Sequence, residues 1–140
     1  MRYCLVHDLV EVYAGDTYIY SQDSEHLNSK IQREEEALEL IKQRLQEFPD
    51  MVVNIERYEQ KQDKESLFVY ALDKILPALN IYMDDGRTWK DLNLTQIPVT
   101  IKKLREHKDE KIKKSPELYK FWIQLIEVLE LNRKDLFLPE

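Results

Sequence analysis

His7, Asp8 and Glu11 stand at offsets of one, three and four residues, so on a helix their side chains leave the same quadrant of the cylinder. They lie in the stretch Tyr3-Cys4-Leu5-Val6-His7-Asp8-Leu9-Val10-Glu11-Val12-Tyr13-Ala14-Gly15-Asp16-Thr17. Its apolar residues cover nearly all azimuths at about 100° per residue, which predicts a helix buried on most sides, with Cys4 inside it. Three ionisable groups on one buried patch are costly unless they are paired or hold a metal. Gly15 is placed to end the helix as a left-handed cap, which would swing Asp16 and Thr17 over the same patch. Far downstream, Asp73 is the only acidic residue between Glu65 and Asp84. A lone carboxylate in so apolar a run needs a cation or donor nearby, and is expected to face the His7-Asp8 patch. Mixed nitrogen and oxygen donors of this kind suit manganese, cobalt, iron or magnesium. The plainer reading has His7 and Asp8 merely hydrogen-bonded to each other in a helical core, which leaves Glu11, Asp16 and Asp73 each needing a separate reason.

The elements that must position these groups read as helices. Gly15 and Gly86 are the only glycines, and five prolines complete a set too small for a fold rich in tight turns. At 140 residues the chain reads as one domain, 1–140, with room for a single core. Tyr18 to Asn28 is polar and aperiodic, so it is expected to form a loop, and His26 within it to be exposed. Ser29 can cap a helix from Lys30 to Glu47 with Ile31, Ala37, Leu38, Ile41 and Leu45 on one face and Glu34-Glu35-Glu36 solvated. Met51 to Gln60 forms a short helix. The helix from about Glu65 is apolar on nearly every side, and Pro77 should kink it. Lys74 is either a cation for a substrate phosphate or a lysine snorkelling from the core. Asp84-Asp85-Gly86-Arg87 is a turn, and helices over 98–113 and 116–130 complete a bundle. In the first of these two, Ile101, Leu104 and His107 or Lys108 form a narrow stripe; His107 is expected to be exposed.

A net charge of -6 argues against a general nucleic-acid binder. A single cysteine, Cys4, fits a reducing cytoplasm, and no apolar run reaches the ~18 residues of a membrane span.

The string His7-Asp8-Leu9-Val10-Glu11-Val12-Tyr13-Ala14-Gly15-Asp16-Thr17, with Glu65 to Ile75 downstream and Arg33-Glu34-Glu35-Glu36-Ala37 between, resembles the 5'-deoxynucleotidase-like branch of the HD-domain metal-dependent phosphohydrolases. The resemblance spans about residues 1–84. It implies an all-α, HD-domain helical bundle in which His7, Asp8 and Asp73 hold a divalent metal ion. It implies catalytic roles for two acids: Glu11 beside the attacking water, as general base or orienter, and Asp16 near the sugar, with Thr17 and Lys74 as further substrate contacts. The histidine that the family carries on a preceding helix has no counterpart among the six residues before His7, so the chain resembles a member truncated at its N-terminus.

The expected activity is hydrolysis of small phosphate monoesters, (deoxy)nucleoside 5'-monophosphates above all, by a metal-bound water. The alternative is an HD scaffold that binds a nucleotide or a protein partner without turnover. An open apolar face where N-terminal helices would pack predicts a homo-oligomer on either reading. All of this requires the Asp73 carboxylate to lie within about 8 Å of the His7 ring, the reach of one shared ion.

Overall fold

The computed structural model describes residues 1–15, 29–94 and 97–138, with the side chains of 97–99 left out. Among the described residues there is no strand, and the architecture is all-α. The order is α1 (Arg2–Val6), α2 (Glu11–Ala14), α3 (Lys30–Arg44), α4 (Pro49–Gln60), α5 (Lys64–Met83), α6 (Arg87–Asp91), α7 (Ile97–Ile112), α8 (Pro116–Leu131) and α9 (Arg133–Leu136). Contacts cluster in two compact units, Met1–Val69 and Tyr70–Glu140.

In the first unit, α1 packs on α4 and α2 on α3. The opening stretch is two short helical pieces joined by tight turns, with Leu9 N–H donating to the Val6 carbonyl and Glu11 N–H to that of Asp8. Only Val6, Val10 and Ala14 are buried, spaced by four residues along one face, whereas Leu5 is 75% and Val12 69% exposed and Cys4 is exposed. This corrects the expectation of a helix buried on most sides. An apolar residue buries only where another element covers it, and α3 and α4 cover one stripe. Gly15 takes φ 74° and ψ 148°, so it ends α2 at positive φ without being a left-handed cap. Ser29 occupies the N-cap position of α3, but its hydroxyl accepts from Arg33 Nε instead of capping. Ala37 and Ile41 are buried on α3, while Ile31 faces out, contrary to the stripe expected of it. Pro49 opens α4 at its first turn, where its missing N–H costs nothing. Asp63 caps the start of α5, accepting from Ser66 N–H at 2.8 Å, and Ser66 Oγ donates back to the Asp63 carbonyl.

In the second unit, α5 buries Ala71, Ile75 and Ala78, while Leu76 and Pro77 face out, so this helix too buries a stripe rather than its whole surface. Gly86 turns the chain at φ 72° into α6. There Trp89 stacks on Phe137 with ring centroids 4.6 Å apart. Ile101, Leu104, Lys108 and Ile112 form the buried stripe of α7, so the position left open between His107 and Lys108 goes to Lys108 and His107 is exposed. α8 packs on α7 through Trp122, Leu125, Ile126 and Leu129, and Trp122 Nε1 donates to Asp109 Oδ1 at 2.7 Å. No helix of the described residues is long and apolar enough to cross a membrane.

Candidate metal centre

His7 follows the last turn of α1, and its side chain is held from two directions. Its Nδ1–H donates to the Cys4 carbonyl at 3.0 Å, and its ring stands edge-on to the buried Tyr58 ring, centroids 6.3 Å apart at 84°. A carbonyl only accepts, so this bond puts a hydrogen on Nδ1 and leaves Nε2 to face outward. Nε2 lies 3.2 Å from Asp8 Oδ2. The Asp8 side chain is 61% exposed.

Glu11 begins α2, one turn beyond the dyad, and is half-buried. The far end of α2 is clamped from α3: Arg33 Nη1 donates to the Ala14 carbonyl and approaches that of Gly15 at 3.5 Å. The expected functions did not include this guanidinium, although Arg33 lies in the quoted segment between the two motifs. It satisfies carbonyls at a helix C-terminus, where a cation is favoured. Asp16, Thr17 and His26 lie outside the described residues, as does the expected loop.

Asp73 lies on α5, half-buried, and forms an ion pair with the Lys74 ammonium. Lys74 Nζ also stands 5.3 Å from the centre of the Tyr70 ring. One turn later Pro77 has no N–H to offer the Asp73 carbonyl. Lys108 Nζ reaches the next carbonyl, that of Lys74, at 2.6 Å. Burial, and then the nearby Lys74 charge, lower the Lys108 ammonium to about 8, against the pull of Asp73. His107, next to it, is lowered by desolvation first and by Lys111 second.

Within the first unit, His7 Nε2 and Asp8 Oδ2 present one imidazole and one carboxylate side by side. Donors of this kind suit a divalent first-row cation or magnesium.

A sequence model of the HD domain family matches residues 1–116. The chain belongs to the HD domain family, a superfamily of metal-dependent phosphohydrolases whose members typically bind divalent metals. The match reaches well past the residues on which the resemblance was first seen, into the α7–α8 turn. No match is found among curated proteins or among solved structures.

Proposed function

We propose that this chain is a metal-dependent phosphohydrolase acting on small phosphate monoesters, with (deoxy)nucleoside 5'-monophosphates as the substrate class. The observation that carries the reading is the His7–Asp8 pair, Nε2 to Oδ2 at 3.2 Å, in a chain of the HD family. In this reading His7 binds through Nε2, because its other nitrogen is committed to the Cys4 carbonyl. Asp8 and Asp73 supply the two carboxylates. A divalent ion, when bound, makes water more acidic and neutralises charge on a phosphoryl oxygen. Glu11, one helical turn from the dyad, is the group assigned to orient the attacking water and take its proton. Asp16 and Thr17 are assigned to the sugar of the substrate.

The test is phosphate release from deoxynucleoside 5'-monophosphates with manganese or cobalt present, for the natural chain, His7→Ala and Glu11→Gln, alongside manganese binding to each. The expected result is release by the natural chain only, with Glu11→Gln still binding metal and His7→Ala binding it at least tenfold more weakly. Absence of release from every substrate, with metal or nucleotide still bound, favours the scaffold reading. The exposure of Leu5 and Val12 on the face of α1 and α2 turned away from α3 and α4 is what supports that second reading. Absence of both release and metal binding overturns the proposal.

A further inference from the structure

The helix that leads into His7, α1, is only five residues long. A helix of that length does not persist in water by itself, so what packs on it decides whether it stays formed. Two of its main-chain groups seat the histidine. The Tyr3 carbonyl accepts the His7 N–H at 2.9 Å, and the Cys4 carbonyl accepts the ring Nδ1–H at 3.0 Å. Whatever fixes Tyr3 and Cys4 therefore fixes the direction of Nε2.

Tyr3 is held by a residue far along the chain. Its hydroxyl donates to Asp63 Oδ2 at 2.8 Å, across 60 residues of sequence. Asp63 is itself fastened: its Oδ1 accepts from Ser66 N–H at 2.8 Å, and the fully buried Ser66 donates its hydroxyl to the Asp63 carbonyl at 2.9 Å. Both carboxylate oxygens are thus engaged, and a hydroxyl bonded to a carboxylate belongs to the stronger, charge-assisted kind. The Tyr3 ring packs on Tyr58, centroids 6.0 Å apart, and Tyr58 makes the edge contact to the imidazole. Two routes, one through main chain and one through the Tyr58 ring, run from the Asp63 carboxylate to the same histidine. Every residue on them lies in the first unit.

Resting on the His7–Asp8 metal reading above, we infer that Tyr3 is a positioning residue for the metal-binding nitrogen of His7, with Asp63 as its anchor. The bond ties the start of α1 to the cap of α5 and keeps a marginal helix from fraying beneath the histidine. The consequence is chemical as well as geometric. A neutral imidazole without its carbonyl acceptor shares its hydrogen between Nδ1 and Nε2, and a hydrogen on Nε2 occupies the lone pair that a cation needs. Holding Tyr3 therefore holds the tautomer together with the angle of the ring.

The experiment compares the full natural chain with Tyr3→Phe, which keeps the ring and loses the hydroxyl, and with Ile112→Val, which trims a fully buried side chain in the second unit. Long-range proton–nitrogen NMR of the metal-free proteins at about pH 8, where a free imidazole is neutral, reads the His7 tautomer, and calorimetry reads manganese binding. The natural chain should show one tautomer, with the hydrogen on Nδ1, and Ile112→Val should match it in both measurements. Tyr3→Phe should show mixed tautomers and bind manganese about three- to tenfold more weakly, less than the usual loss on removing a group bonded directly to a ligand. The double variant Tyr3→Phe with Asp63→Asn should stay within about twofold of Tyr3→Phe, because the two side chains act through one bond. Where the natural chain binds manganese, a single tautomer or an unchanged affinity in Tyr3→Phe overturns the positioning role. Mixed tautomers in Ile112→Val overturn it too, since any loosening of the fold would then suffice. If the natural chain binds no manganese while its tautomer still responds to Tyr3→Phe, the metal reading falls and the hold on the imidazole stands, so the two failures are told apart.

Discussion

The Tyr58 ring stands edge-on to the His7 imidazole, centroids 6.3 Å apart at 84°, and is itself almost fully buried. Tyr3 also packs on Tyr58, ring centroids 6.0 Å apart, and Lys61 Nζ lies 5.1 Å from the Tyr58 ring centre. The imidazole is thus backed by a packed aromatic wall, not by loop. Truncating that wall should cost stability and orientation together. Tyr58→Ala is expected to lower unfolding free energy by about 3 kcal/mol or more in urea titrations, the usual cost of losing a buried aromatic side chain. His7→Ala, which removes a ring only partly enclosed, should cost less than about 1 kcal/mol while removing manganese binding. A large loss for His7→Ala would make that histidine a structural group first.

Gly86 gives a sharper contrast. A Cβ there would stand 2.0 Å from the Leu136 carbonyl oxygen and 2.5 Å from its Cα, both backbone, at a φ of 72°. Gly86→Ala should therefore cost about 3 kcal/mol or more, by clash and by conformation together. At Gly15 the nearest atom to such a Cβ is the Arg33 side chain at 3.7 Å, so Gly15→Ala pays only for a φ of 74°, about 1–2 kcal/mol. Equal urea midpoints for the two variants would refute the packing argument.

These contrasts bear on what the sequence could tell. Helical periodicity located most of the helices, and on α7 it narrowed the fourth buried position to His107 or Lys108. It did not say which faces would be covered, because Leu5 and Val12 are as apolar as Val6 and Val10 and differ only in what packs on them. No periodicity links residue 8 to residue 73. A shared role for the two was expected only from the resemblance to a family whose ligands have this order. The Arg33 clamp on the Ala14 carbonyl was not legible, since a guanidinium in a run of charges carries no mark of the backbone it will meet. Lys74 was left between two roles, and periodicity gave no sign of its pairing with Asp73.

Acid should reveal Asp63. The Ser66 backbone N–H first, and the Tyr3 hydroxyl at 2.8 Å after it, hold this carboxyl below its ordinary value of 3.8 in the folded chain, while burial pushes the other way. A carboxyl depressed by folding stabilises the fold above its unfolded pKa and stops doing so as pH falls through its folded one. The natural chain should lose stability relative to Asp63→Asn as pH drops below about 4. The two proteins should run parallel from pH 5 to 7. Parallel curves through the acid limb as well would show that the hydrogen bonds do not favour the charged form.

Alkali should reveal Lys108, with the opposite sign. Its ammonium is lowered to about 8 by burial in the fold, against about 10.4 in an unfolded chain. Between those values the unfolded chain holds a proton that the folded one has released, so stability rises with pH across that window through this group. Below pH 8 both states are protonated and the penalty for enclosing the charge is constant. Lys108→Met removes the titration but also leaves the Lys74 carbonyl without its donor. The expected readout is therefore a difference of slopes rather than an absolute gain. From pH 8 to 10.4 the natural chain should gain on the variant by an amount on the order of 3 kcal/mol, measured by urea unfolding at each pH. A difference that stays flat across the window would mean that the ammonium keeps its proton in the fold, with Asp73 and the Lys74 carbonyl compensating for its burial in full.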